Sequence, residues 1–80
     1  MVAFIDFVGT PTGAEVFVND VGIGKIPIYN HILKWGMYNI RAEKEGYETE
    51  YREDVRVYKT AHYKKIIFDL QEIGAEKGVL

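Results

Sequence analysis

The sequence contains no cysteine and no serine, and only two of its 80 residues are histidine. Without cysteine the chain can form neither a disulfide nor a thiolate metal site. It lacks the serine and cysteine nucleophiles of hydrolases, and its threonines fall in predicted turns or charged strands. His31 and His62 lie on different predicted strands, and neither has a neighbouring residue of metal-ligand type. We therefore expect no catalytic residue, metal or cofactor, and predict that the protein is not an enzyme.

Long apolar runs and an excess of positive charge are also missing. The longest uninterrupted apolar run is Met1–Ile5, far below the about 20 residues that a transmembrane helix needs. The N-terminus shows no secretory signal. Ten basic against twelve acidic residues give a net charge of −2, the wrong sign for a protein that neutralises phosphates. We expect no membrane span and no nucleic-acid partner.

What the sequence does contain is a regular alternation of apolar and polar residues, interrupted by turn residues about every ten positions. This pattern predicts an all-β fold, a single small antiparallel β-sandwich of six or seven strands, over residues 1–72. Residues 73–80 have no such period, and we expect a flexible C-terminal tail there. The predicted strands are Val2–Val8, Ala14–Asn19, Gly22–Gly24, Pro27–Leu33, Met37–Glu43, Tyr47–Tyr58 and Ala61–Glu72.

The charged segment Arg41–Val57 leaves a helix as an alternative. Apolar residues and Thr49 nevertheless share one parity in its second half, and only Glu53 breaks the alternation, so a strand is favoured. The inward parity of all the strands predicts a core made of Ile5, Phe7, Val16, Val18, Tyr38, Ile40, Tyr47, Tyr51, Val57, Ile66, Phe68 and Leu70.

Turn residues separate the predicted strands. Pro11 and Gly13 belong to a turn after the first strand, and the segment Asn19–Gly22 resembles a hairpin turn. Gly36 and Gly46 each stand where two alternating runs meet, so we expect tight reversals there. Gly13, Gly36 and Gly46 are expected to adopt backbone conformations that a Cβ atom disfavours.

Several of these segments together resemble the PEGA domain family. The string Pro11–Asp20, followed by Gly24–Pro27, is similar to the family's Pro-x-Gly-Ala turn, short strand and Gly-x-x-Pro. Gly36–Ile40 and Lys44–Tyr47 look like its Gly-x-Tyr-x-Val/Ile strand and Lys-x-Gly-Tyr turn. The resemblance covers about Ala3 to Leu70, and it departs from the pattern at Thr12, Val21 and Lys25-Ile26.

The resemblance implies a small β-sandwich of the kind found as an accessory module in envelope, surface-layer and exported proteins. It implies a scaffold or binding role without catalytic residues, and it names no ligand. Cell surface, envelope or virion are therefore favoured over the cytoplasm, although the location stays open.

Two further segments contain residue types that occur in binding sites. Gly22–Lys25 lacks the distant glycine and the following Ser or Thr of a phosphate loop. The acidic residues Glu45, Glu48, Glu50, Glu53 and Asp54 could suggest a calcium site or a carboxylate pair for glycoside chemistry. However, Glu48, Glu50 and Asp54 share the outward parity with Arg52 and Arg56. We interpret them as a solvated strand face that discourages edge pairing.

Parity leaves bulky apolar side chains pointing outward, and we predict that they form a protein interface at Phe4, Phe17, Tyr63 and Ile67. Alternatively, these residues are scattered over different sheets or covered by the tail. Trp35 is either an additional anchor or a lid over the end of the sandwich.

The predicted function is a non-catalytic structural or protein-interaction module that self-associates or joins a larger surface assembly. The alternative is a carbohydrate or cell-wall binding module with Trp35 and Tyr29 as stacking platforms.

Overall fold

A computed structural model describes residues 1–58 and 63–73, without the side chain of Tyr63, and they form seven strands. The strands are β1 (Val2–Thr10), β2 (Glu15–Val18), β3 (Val21–Lys25), β4 (Ile28–Lys34), β5 (Gly36–Glu43), β6 (Glu50–Val57) and β7 (Tyr63–Asp69). Three predicted features lie outside the described residues: the start of the last predicted strand at Ala61, His62 within that strand, and the tail beyond Ile73.

The strands form two sheets that pack face to face. Sheet I has the order β4-β1-β7, and sheet II has the order β3-β2-β5-β6. The predicted all-β sandwich is therefore confirmed, and the helical alternative for residues 41–57 is wrong because they form the end of β5, a turn and β6.

One strand pair differs from the antiparallel pattern. β1 and β7 are parallel, whereas the other four pairs are antiparallel. The two strands are the first and last in the sequence, so no hairpin forces them to run in opposite directions.

The inner faces of the two sheets share one core. Its largest fully buried side chains are Phe7, Phe68, Ile5, Ile40, Val16 and Val57. The predicted core residues Val18, Ile66 and Leu70 are also buried, and Tyr38 and Tyr47 pack partly buried against the cluster. Alternation therefore identified most of the core correctly.

Tyr51, which was predicted in the core, is 63% exposed. The cause is a β-bulge, because Tyr38 pairs with Val55 but Ile40 pairs with Arg52. Two residues of β6 thus oppose a single residue of β5, and the alternation of β6 inverts at that point.

Asp54 is the bulge residue that adopts a left-handed conformation, with φ +57°. Its N–H donates to Oδ1 of Asn39 on β5, at 3.1 Å. Asp and Asn tolerate this conformation better than other residues that carry a Cβ atom. The facing amide thus fixes the position where the parity of β6 changes.

Sheet I contains the same arrangement. Asn30 has φ +57°, and its N–H donates to Oδ1 of Asp6 at 2.8 Å. Ile5 pairs with His31 and Phe7 with Ile28, so β4 bulges opposite Asp6. Asp6 is only 5% exposed although it alternates with outward residues.

The β6 bulge also turns Glu50 and Arg52 inward, where sequence parity had placed them outward. The Arg52 guanidinium lies 5.0 Å from the centroid of the Phe68 ring and donates to the carbonyl of Ile67 at 2.7 Å. Arg52 is paired with Glu50, whose Oε1 accepts the N–H of Asp69 at 3.0 Å. Side chains of β6 therefore satisfy backbone groups of β7 and join the two sheets at this corner.

The segment Trp35-Gly36 is not the tight reversal that the sequence predicted. It carries the chain from β4 in sheet I to β5 in sheet II, and Gly36 has φ +159°, close to extended backbone. The segment Lys44–Tyr47 does form a turn, in which the Tyr47 N–H donates to the Lys44 carbonyl at 3.0 Å and Gly46 has φ +87°. Gly13, with φ +91°, and Pro11 lie in the connection from β1 to β2.

The backbone of β7 lies very close to Gly9 of β1. A Cβ atom there would stand 1.9 Å from the carbonyl oxygen of Phe68, and φ is +141°. At Gly46 φ is also positive, but a Cβ atom would meet nothing within 4 Å.

We predict that Gly9→Ala lowers the free energy of unfolding by about 3 kcal/mol, from backbone strain and displacement of β7. Gly46→Ala should cost about 1 kcal/mol, and equal losses in urea denaturation would contradict this account of Gly9.

Arg52 provides a second test of the fold. Arg52→Met keeps much of the side-chain volume but removes the bonds to Glu50 and to the Ile67 carbonyl, so we expect a loss of about 2 kcal/mol. Arg56→Met, on the exposed side of the same strand, is the matched control and should change stability by less than about 0.5 kcal/mol. Similar stabilities for the two variants would show that Arg52 does not join the sheets.

Candidate functional site

The outer face of sheet I carries two of the predicted interface residues, Phe4 on β1 and Ile67 on β7, which are 41% and 59% exposed. Phe4 pairs with Ile32 of β4, and Val8 pairs with Ile67. Val2 precedes Phe4 on the same side of β1. These five residues are called the β1 face below.

A polar row crosses the β1 face. Asp6 separates Phe4 from Val8 along β1 and stands opposite Lys65 of β7 in the register of the strands. Lys34 stands opposite Val2 at one end, and Thr10 donates to Asp69 at 3.2 Å near the other. The β1 face is therefore an apolar surface on the central strand with charged residues beside it, a composition common at protein contacts.

Phe17 does not belong to the β1 face, because β2 lies in sheet II. Its ring is half-buried: the Arg41 guanidinium lies 4.1 Å from its centroid, and a Cβ atom at Gly22 would lie 3.4 Å from its Cε2. The side chain points outward as predicted, but its ring is covered by its own sheet.

The remaining predicted contact residues lie elsewhere. Trp35 is half-buried and packs against the core rather than standing free as an anchor. Its Nε1 is buried without an acceptor in the described part of the chain.

Tyr29 is exposed on β4, six residues from Trp35 and hence about 20 Å away along a strand. The two aromatics therefore form no common stacking platform. Tyr63 is aligned with Phe4 through its backbone, and its side chain lies outside the description.

The outer face of sheet II has a row of side chains that the sequence did not indicate. Gly22, Phe17, Arg41 and Tyr51 stand opposite one another across its four strands. Parity had placed Tyr51 inside, so this row could not be predicted. The sequence did contain a signal for the β6 bulge. The alternation breaks at Glu53, and the next residue, Asp54, is of a type that tolerates positive φ.

Arg41 lies at the centre of this row. Its Nε donates to Glu43 at 2.6 Å, and a second guanidinium nitrogen pairs with Asp20. The hydrogen bond to Glu43, followed by the one to Asp20, raises the pKa of Arg41 above its ordinary value. Two carboxylates therefore compensate the cation.

A shallow pocket of about 350 Å³ opens beside this row, and it is called the turn pocket below. Its lining consists of Asn19, Asp20, Asn39, Ile40, Arg41, Tyr51 and Glu53. Asn19 and Asp20 are the two residues of the β2–β3 hairpin loop, with φ +49° and +68°, the pattern of a type I′ turn. The loop is thus shorter than the predicted turn at 19–22.

Two asparagines of the turn pocket are held by their amide oxygens. Asn19 Oδ1 accepts the backbone N–H of Asn39 at 2.8 Å, and Asn39 Oδ1 accepts the N–H of Asp54. Within residues 1–58 and 63–73, neither Nδ2 group has an acceptor. The orientation of both amides is therefore fixed, and their donors remain available.

The carboxylates and histidines of the described residues are dispersed. No group of three or more His, Asp or Glu side chains within residues 1–58 and 63–73 could hold a metal ion. Over the same residues, no helix is long and apolar enough to cross a membrane.

A comparison with known proteins gives one family. The family model described as PEGA domain matches residues 8–72, which include β2 to β7 and the end of β1. No curated protein matches the chain.

The position of Asn39 leads to a prediction about the turn pocket. Asn39→Ala removes the acceptor of the Asp54 N–H and should lower stability by about 1 kcal/mol. Asn39→Asp keeps an oxygen at that position and should retain more of the stability. If thermal unfolding shows the same loss for both variants, the side-chain oxygen does not stabilise the bulge.

Proposed function

Since the chain belongs to the PEGA domain family, we propose that it is a non-catalytic structural module that associates with copies of itself through the β1 face. In this proposal it serves as a building block or accessory domain of a cell-surface, envelope or virion assembly. The observation that carries the proposal is the exposure of Phe4, Ile32 and Ile67 together on one sheet face.

Exposed apolar surface of this kind favours association. Burying a large apolar side chain contributes roughly 1.5–3 kcal/mol, and the β1 face offers several from each copy. Association costs about 4–15 kcal/mol in lost translational and rotational freedom. Two such faces in contact can therefore offset that cost, whereas any one of these residues cannot.

The position of β1 determines the kind of contact. β1 is paired on both sides, by β4 and β7, so a partner cannot extend its backbone ladder and must contact its side chains. If the same face is used by both copies, a closed dimer results. If it meets a different surface, the contact continues from copy to copy as a filament or lattice.

We predict that wild-type protein sediments with a concentration-dependent mass, and that a Phe4→Ser, Ile67→Ser double variant sediments as a monomer. Each substitution replaces an exposed apolar side chain of the β1 face, so the fold should be retained. Met37→Ser, on the outer face of sheet II and 48% exposed in the wild type, is the matched control and should associate like the wild type.

Self-association is contradicted if the wild-type protein sediments as an ideal monomer across the whole concentration range. Loss of association in Met37→Ser but not in the double variant would instead place the contact on sheet II. Circular dichroism of each variant tests whether a change in mass comes from unfolding.

A further inference from the structure

We propose that the turn pocket of sheet II binds a neutral carbohydrate, with one sugar ring stacked on Tyr51. The amides of Asn19 and Asn39 would donate to sugar oxygens, and the carboxylate of Glu53 would accept from sugar hydroxyls. This site lies on the sheet opposite the β1 face, and the proposal does not depend on self-association.

Two side-chain amides in the turn pocket supply donors with fixed orientation. Both asparagines use their Oδ1 atoms to accept backbone N–H groups, at 2.8 Å for Asn19 and 3.1 Å for Asn39. The amides cannot turn over without losing those bonds. Their Nδ2 groups therefore present N–H donors in fixed directions, which is the arrangement that recognises hydroxyl and ring oxygens.

Tyr51 and Glu53 supply the stacking platform and the acceptor. Tyr51 is 63% exposed because the β6 bulge turns it outward, and an aromatic ring next to polar side chains suits the apolar face of a sugar. Glu53 lines the same pocket and has no ion pair with any described residue. It supplies an acceptor for hydroxyl groups.

The charges in the pocket favour a neutral ligand over an anion. Arg41, the cation of the pocket lining, is already bonded to Asp20 and Glu43, and Glu53 adds a further negative charge. A phosphate or carboxylate ligand would be repelled by Asp20, Glu43 and Glu53, which outnumber Arg41. A metal ion is also disfavoured, because both amide oxygens already accept N–H groups and no group of three or more His, Asp or Glu side chains among the described residues could hold one.

The backbone around the pocket is organised before a ligand binds. The type I′ turn at Asn19-Asp20 and the bulge at Asp54 use positive φ angles and fix the two sides of the site. The volume of about 350 Å³ is sufficient for a monosaccharide.

The test is NMR titration of the full chain with cellotetraose, chitotetraose and mannotetraose, following the side-chain NH₂ signals of the asparagines. We expect at least one of these to bind with a dissociation constant on the order of 1 mM or tighter and to shift the signals of Asn19 and Asn39. Tyr51→Ser and Asn39→Asp should each weaken this binding at least about tenfold, equivalent to about 1.4 kcal/mol. Asn39→Asp keeps the acceptor of the Asp54 N–H but removes both side-chain donors.

Tyr29→Ser is the matched control, since Tyr29 is 64% exposed but lies in sheet I, and it should bind like the wild type. The proposal is overturned if none of the three oligosaccharides shifts the asparagine signals of the wild type. It is also overturned if Tyr51→Ser, with an unchanged backbone spectrum, binds as well as the wild type. The Phe4→Ser, Ile67→Ser variant should keep carbohydrate binding, so failure of either proposal can be recognised separately.

Discussion

In sheet I, the backbone of β1 is paired on both edges, in antiparallel fashion with β4 and in parallel with β7. This double pairing commits its inner side chains, Ala3, Ile5 and Phe7, to the core, where all three have no exposed surface. Its outer side chains form a row on the outer face of sheet I, between β4 and β7. At Gly9 the carbonyl of Phe68 leaves no room for a Cβ atom.

The β-bulges in β4 and β6 decide what the outer faces present. In each, an Asn or Asp with positive φ donates its N–H to a side-chain oxygen on the facing strand, Asn30 to Asp6 and Asp54 to Asn39. The bulge in β4 faces the polar row that divides the β1 face. The bulge in β6 turns Tyr51 outward and fixes an amide of the turn pocket. Local backbone irregularities thus produce both candidate surfaces.

Alternation was sufficient to predict the core wherever a strand runs without interruption, as at Val16 and Phe68. It failed after the bulge in β6, because an extra residue inverts parity and the two-residue period cannot show this. It also distinguishes the inside of a sandwich from the outside but does not assign strands to sheets. Phe4 and Phe17 are both outward, yet they lie on different sheets, since that depends on pairing between distant strands.

The central claim is that the β1 face mediates contact between copies of this chain. The most direct measurement is a series of two-dimensional ¹H–¹⁵N spectra at increasing protein concentration. We expect the backbone signals of β1, β4 and β7 to shift with concentration, while the side-chain amide signals of Asn19 and Asn39 stay constant. Shifts centred on β2, β3 and β5, or on the turn pocket, would contradict the claim.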